Sequence, residues 1–178
     1  RGCDDFLHRR VCLRMSSPVE QARYLLENRT PLAADCGQVC GHACCRCQGD
    51  EPCGMRLFPG EEALLRETEG MTLLPAEGGT LLVCGGQCRR SERPLACRLF
   101  PLRIRLDAQE DGQTVKAVPE IDPRAWCCCP LPEMGGLRAM SGEFVEAVRK
   151  VGERMMRNTD LLEALYGEQR LIDEMRRF

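Results

Sequence analysis

An α+β fold is what this sequence predicts: an irregular, cysteine-rich core carrying short β-hairpins, followed by a C-terminal helical segment. Three observations carry that reading. In the middle of the chain, apolar residues alternate at a period of two on either side of glycine-bearing turns. Beyond residue 140 they recur at the helical period instead. The cysteines gather in Gly- and Pro-rich segments that have almost no apolar period, and none follows Cys129.

The elements follow in chain order. Residues 1–16 hold Cys3 and Cys12 without a clear period, and these two thiols read as ordinary packing groups. Ser17-Pro18-Val19-Glu20 is a helix start: Ser17 suits the cap, Pro18 the first helical position, and Glu20 completes a capping box. Val19, Ala22, Leu25 and Leu26 then give a helix over about 18–28, with Pro31 just beyond. Residues 36–54 read as irregular backbone that needs something in its centre to organise it. Pro59-Gly60 precedes a short helix whose first turn is acidic, Glu61-Glu62, and which stops before Gly70. Those two carboxylates are conceivable general bases, but the helix dipole already accounts for their position.

Two hairpins follow. Met71–Pro75 and Thr80–Cys84 flank a short glycine loop. Leu102, Ile104 and Leu106 alternate with Arg103 and Arg105, which predicts one apolar and one polar face; residues 114–118 return after the Asp111-Gly112 turn. Residues 119–136 read as loop. A helix opens at Ser141 or Gly142, with Phe144, Val145, Val148, Val151 and Met155 on one side. A second is capped by Asp160 with Glu163, carries Leu161, Leu162, Leu165, Ile172 and Met175, and is weakened at Gly167. The expected organisation is a single domain over 1–178, with a cysteine-cluster core at 30–132 and a helical segment at 137–178. That segment either packs on the core or meets a partner.

Composition narrows the function. At 178 residues the chain can bury a real core without crosslinks. A net charge of -2 gives no electrostatic case for nucleic acid or a membrane surface. Of the 25 basic residues only Lys116 and Lys150 are lysines, and the dispersed arginines read as solvated surface and scattered ion pairs. No stretch approaches the ~18 consecutive apolar residues of a membrane span, and no secretory signal is visible. The expectation is a soluble, cytoplasmic protein. There is no Ser–His–Asp set, no dinucleotide-binding glycine loop and no P-loop.

The 14 cysteines carry the chemistry. They form three clusters, all in expected loops: Cys36, Cys40, Cys44 and Cys45; then Cys84, Cys88 and Cys97; then Cys127, Cys128 and Cys129. Cys47 and Cys53 follow the first cluster and receive no assignment. Disulfides, metal ligation and simple packing all compete. Adjacent thiols argue against disulfides, because a bridge between neighbours is strained. Thiolates are soft ligands that select zinc, copper(I) or iron–sulfur clusters, and Gly37, Gly41, Gly85 and Gly86 let the backbone turn sharply enough for several sulfurs to converge. Zinc and a cubane cluster each take about four cysteines. The ten clustered cysteines are therefore candidate ligands for an iron–sulfur cluster of the 4Fe-4S type or for zinc. The cluster is preferred because adjacent cysteines suit a group with several corners. Ten exceed one tetrahedral site, so either two centres exist or some thiols are spare. His42 could complete a mixed site, but a loop-stabilising role is the better expectation. Arg93 and Arg98 flank Cys97, where positive charge would lower its pKa.

The pattern Cys36-x3-Cys40-x3-Cys44-Cys45, followed by Cys88 and by Arg93-Pro94-L-A-Cys97-Arg98-L-Phe100-Pro101, resembles the zinc- or iron-chelating cysteine-cluster family. Its hallmark is C-x2-C-x2-C-C with a later R-P-x2-C-R-x-F-P. Here the first spacers are three residues rather than two. The resemblance spans about 36–130 and implies a metal site. For some members, the flagellin lysine N-methylases, it implies protein methyl transfer, hence a possible protein substrate.

Overall fold

The computed structural model describes residues 17–46, 54–76, 78–86 and 88–177. Cys3, Cys12, Cys47 and Cys53 lie outside the described residues. The fold is α+β. In chain order the main elements are α1 (Pro18–Leu25), α2 (Cys36–Cys40), β1 (Gly54–Arg56), α3 (Glu62–Leu65), β2 (Met71–Ala76), β3 (Gly79–Cys84), α4 (Leu95–Leu99), β4 (Leu102–Ala108), β5 (Val115–Ile121), α5 (Gly142–Met155) and α6 (Thr159–Met175). Short 3₁₀ turns cover 43–45, 90–92, 123–127 and 136–139.

The capping box that opens α1 is formed: Glu20 N–H donates to Ser17 Oγ at 3.3 Å, and Ser17 N–H donates to Glu20 Oε2 at 2.9 Å. The helix ends at Leu25, earlier than its apolar spacing predicts. The carbonyls just past its end are taken up by a distant arginine: Arg90 Nε donates to Glu27 O at 3.0 Å and Arg90 Nη2 to Leu26 O at 3.0 Å. Arg90 Nη2 also reaches Arg29 O.

Both expected hairpins are present. β2 and β3 pair antiparallel from Met71↔Cys84 to Ala76↔Gly79. The short strand β1, which the sequence reading missed, joins the other edge of β3, giving the order β1-β3-β2. β4 and β5 pair from Leu102↔Ile121 to Ala108↔Val115. Their turn is closed by Gln109 N–H to Thr114 O at 2.8 Å, with Gly112 at φ 65°.

The large core lies between this second hairpin, α1 and the C-terminal helices. It holds Val19, Ala22 and Leu26, then Leu102, Ile104 and Leu106, then Phe144, Val148, Val151 and Met155, with Leu161 and Leu165 of α6. Gly152 permits the contact: a Cβ there would stand 2.5 Å from Ala117 Cβ and 2.9 Å from Ile104 Cγ2. The helical segment therefore packs on the rest of the chain. Gln169 of α6 seals the outer edge of β4, accepting from Leu106 N–H at 2.7 Å and donating to Leu106 O at 3.2 Å. No helix among the described residues is long and apolar enough to cross a membrane.

Three local expectations are corrected. α6 is capped by Asn158, whose Oδ1 accepts from Leu161 N–H at 3.1 Å, not by Asp160; the helix then runs through Gly167 to Met175. The polar face of β4 is not solvated at Arg103, which is 2% exposed and donates from Nε to Glu120 Oε2 at 2.9 Å. Nor are the arginines all surface groups. Arg23 and Arg98 are also buried, because a guanidinium can spend its five donors on several carbonyls at once.

Candidate metal centre

Eight of the ten clustered cysteines line one cavity of about 180 Å³: Cys36, Cys40, Cys44, Cys45, Cys84, Cys88, Cys97 and Cys129. They arrive from three separate stretches of chain. Cys127, which is exposed, and Cys128, which is half-buried, are not part of that lining. Cys128 Sγ instead faces the Arg124 carbonyl at 3.6 Å. No disulfide joins any of the ten. Among the described residues no three His, Cys, Asp or Glu side chains form a ready-made site for a single metal ion.

The first stretch is more regular than its glycines predict. Asp35 caps α2, its Oδ1 accepting from Gly37 N–H at 3.3 Å. Cys36 and Cys40 are four residues apart on this helical turn and so share a face. Gly41 and His42 then both adopt left-handed backbone, at φ 61° and 59°. That reversal leads into the 3₁₀ turn carrying Cys44 and Cys45. His42 N–H donates to Gly37 O at 2.8 Å, and its ring lies over Gly37, where a Cβ would meet Nδ1 at 2.7 Å. His42 also lines the cavity, so it both braces the loop and faces the thiols.

The second stretch leaves β3 at Cys84 and turns at Gly86, φ 75°. A Cβ on Gly86 would sit 3.2 Å from Cys45 Cβ, so the bare glycine lets the two cysteine loops touch. Cys97 lies on α4, which Pro94 starts and Phe100-Pro101 ends. The sequence reading missed this helix because five residues show no period. Cys129 comes from the third stretch, after the 3₁₀ turn at 123–127. That turn is tied to α6 through Arg124, which pairs with Asp122 at 2.5 Å and with Glu168 at 2.6 Å.

Ion pairs and backbone hydrogen bonds connect these loops. Arg93 grips Asp35 with both Nη atoms, at 3.1 and 3.0 Å, joining the second stretch to the cap of α2. Arg98 donates to three carbonyls, Arg93 O at 2.9 Å, Arg23 O at 3.0 Å and Ser91 O at 2.6 Å. It is therefore a buried brace rather than a surface ion pair. Glu61 is fully buried. It accepts from Leu95 N–H at 2.7 Å, Phe58 N–H at 3.0 Å and Arg23 Nη1 at 3.4 Å. It thus caps the start of α4, two residues before Cys97, and is committed to position rather than poised as a base. Sequence reading placed Glu61 in a first helical turn, and nothing local could have shown its distant partners.

Electrostatics divides the thiols. Burial pushes Cys97 well above the ordinary thiol range, with the charges of Cys45, Cys88 and Cys84 adding to it. The expectation that flanking arginines would lower it is wrong, because Arg98 is spent on carbonyls and desolvation dominates. Burial also raises Cys36 and Cys129. Cys44 and Cys45 stand 3.9 Å apart, sulfur to sulfur. The hydrogen bond between them raises Cys44 and lowers Cys45 to about 6, with Arg93 and His42 assisting the latter. The donor set is almost purely soft, and the remaining lining is mostly apolar, including Leu32, Met55, Phe100 and Met134. It fits a thiolate-bound metal or cluster. No known family model matches the chain, and neither a curated protein nor a solved structure matches it.

Proposed function

We propose that this is a metal-binding protein whose clustered cysteines hold an iron–sulfur cluster. The observation that carries the reading is the gathering of eight thiols from three loops around one apolar cavity. Disulfide pairing would bring such thiols together in twos; packing alone would favour apolar neighbours over one another's sulfur. A soft metal gives all of them one purpose, since thiolates are its preferred ligands. A cluster is preferred over one zinc ion because a group with several corners suits adjacent cysteines.

Such a group, when bound, supplies one-electron chemistry or a rigid crosslink. The chain's own residues do the rest. The glycine turns let the loops approach, Arg93 sets positive charge beside the thiols, and Glu61 and Arg98 fix α4. The resemblance to the cysteine-cluster family agrees with a metal site, and a cytoplasmic setting keeps thiols reduced. Protein methyl transfer belongs to the same resemblance, and Val39 and Met134, exposed at the cavity, are where a protein substrate would first touch.

The test is purification of the full chain without oxygen, followed by elemental analysis and a visible spectrum. Brown protein containing iron and sulfide, with broad absorbance near ~400 nm, is expected. Colourless protein with stoichiometric zinc under the same conditions replaces the cluster with a structural zinc module. Protein with neither rejects the metal reading.

A further inference from the structure

The first thiol loop has little apolar anchorage. Residues 36–46 carry Cys36, Cys40, Cys44 and Cys45 and place no residue in either buried core. The chain is fixed just before them, where Leu32 packs on the large core and Pro31 O accepts from Ser141 N–H at 2.7 Å. Inside the loop the hydrogen bonds are local. Gln38 N–H donates to Asp35 O at 3.0 Å, His42 N–H to Gly37 O at 2.8 Å and Cys45 N–H to His42 O at 2.8 Å. Arg46 Nη2 donates to Gly41 O at 2.7 Å. These bonds shape the loop without placing it against the other thiols.

Among the described residues, Arg93 alone hydrogen-bonds residues 35–46 from elsewhere in the chain, through its two-point grip on Asp35. We propose that Arg93 and Asp35 are positioning residues of the candidate metal centre: their ion pair is the latch that holds the first thiol loop against the second. This assignment rests on the reading that the thiols bind metal.

Each partner is built for that role. Arg93 is a fixed post. Its carbonyl accepts from Arg98 Nε at 2.9 Å, its N–H donates to Arg90 O at 3.2 Å, and Pro94 restricts its backbone. It lies between Cys88 and Cys97 in the chain and lines the cavity with them. Asp35 immediately precedes Cys36, and its Oδ1 also caps α2 by accepting from Gly37 N–H at 3.3 Å. One carboxylate therefore orients the turn that carries Cys36 and Cys40 and ties it to the stretch that carries Cys88 and Cys97. The contact is a fork, Nη1 to Oδ1 at 3.1 Å and Nη2 to Oδ2 at 3.0 Å, so it fixes direction as well as distance. The side chains are 14% and 23% exposed, so water competes with this pair less than with a surface one.

The experiment follows metal release from the full chain. Oxygen-free protein loaded with cobalt(II) is mixed with excess chelator, and the loss of the thiolate absorbance is timed. Asp35→Asn keeps a capping oxygen, and Arg93→Gln keeps a donor, but each breaks the ion pair. Each is expected to speed release about tenfold, the effect of one lost charge-assisted hydrogen bond, with metal content at saturation unchanged. The two variants change the charge beside the thiols in opposite directions, so faster release from both reports the clamp and not the field. The double variant is expected to match either single one, because the pair acts as a unit. Arg93→Lys, which keeps the charge and loses the fork, is expected to fall between parent and Arg93→Gln. Arg29→Gln, which breaks the exposed pair with Glu143, is expected to release at the parental rate.

Parental release from both single variants overturns the latch and leaves metal binding intact. So does a double variant in which the two effects add, or equally fast release from Arg29→Gln. If Asp35→Asn does not fold, the two Arg93 variants decide. A parent that binds no metal overturns the underlying reading. Amide hydrogen exchange over 36–46 then tests the latch by itself: exchange about tenfold faster is expected in both single variants, and unchanged exchange overturns it.

Discussion

Around Phe144, side chains from α1, the β4–β5 hairpin, α5 and α6 close into one continuous core. Around Leu82, only Leu57 and Leu65 are buried with it among the described residues, with Met71, Leu73 and Cys84 partly covered beside them. The first region has apolar area enough to hold itself together. The second has a three-residue core with Cys84 at its edge, whereas Cys129 packs against the first and Cys97 sits on α4 between its Leu95 and Leu99; guanidinium bridges join the loops, Arg93 to Asp35, Arg23 to Glu61 and Arg98 to carbonyls. The contrast is sharpest at 36–46, which places no residue in either core. That first thiol loop is left to be fixed by polar contacts and, on the proposed reading, by metal.

Metal removal separates the two regions most sharply. Structural thiolate sites contribute about 10–16 kcal/mol of binding free energy that is also folding free energy. Chelation, or Cys44→Ser, is therefore expected to expose 36–46 and 84–97 to hydrogen exchange and protease, with α5 and α6 protected as before. Equal protection of both regions with metal stripped would erase the distinction.

Within the large core, Phe144→Ala is expected to cost about 3–5 kcal/mol of global stability, since it empties a fully buried aromatic site. Denaturant unfolding reads this directly. If the comparison holds, metal stoichiometry of the folded variant stays at the parental value; a loss of metal would show that the two regions are one cooperative unit.

Gly152→Ala probes the close approach of α5 to the hairpin. The added methyl would meet Ala117 and Ile104 at 2.5 and 2.9 Å, and overpacking of this kind costs about 1–3 kcal/mol. Removal of a helical glycine returns up to ~1 kcal/mol. A lower midpoint in thermal unfolding is expected; a stabilised variant would mean that the helix can shift outward freely.

Glu61 gives a smaller, pH-dependent effect. Burial pushes its carboxyl above the ordinary value of 4.5, against the pull of the Leu95 and Phe58 N–H groups and Arg23. The folded state then holds the proton more tightly than the unfolded chain. Its contribution to stability falls as pH rises from about 4.5 through the raised folded value. Glu61→Gln, which keeps a carbonyl acceptor, is expected to cost about 1 kcal/mol and to flatten that slope. Identical slopes for parent and variant would place the titration elsewhere.

The smallest effect is expected at Cys127→Ser. Its side chain is exposed and absent from the cavity lining, so stability should change by less than ~0.5 kcal/mol, with metal content unchanged. Loss of metal would add Cys127 to the ligands and extend the site beyond the cavity.

The sequence by itself determined the elements whose causes are local. The Ser17 capping box, the two hairpins with their glycine turns, and the apolar stripe of α5 each depend on residues within a few positions of one another. It also located the thiol clusters, because cysteines crowded beside glycines are visible without a fold. Short helices such as α2 and α4 escaped it, since five residues hold no period, although Asp35 before Cys36 was a legible cap. The structure alone decided what depends on chain segments far apart. It selected Cys129 over its two neighbours, turned Arg103 inward toward Glu120, and spent Arg98 on carbonyls from distant loops. Glu61 became the cap of a helix more than thirty residues away. The contact between the two cysteine loops, Gly86 against Cys45, was likewise invisible along the chain. Such contacts are set by how loops pack in three dimensions, and no pattern along the chain encodes their partners.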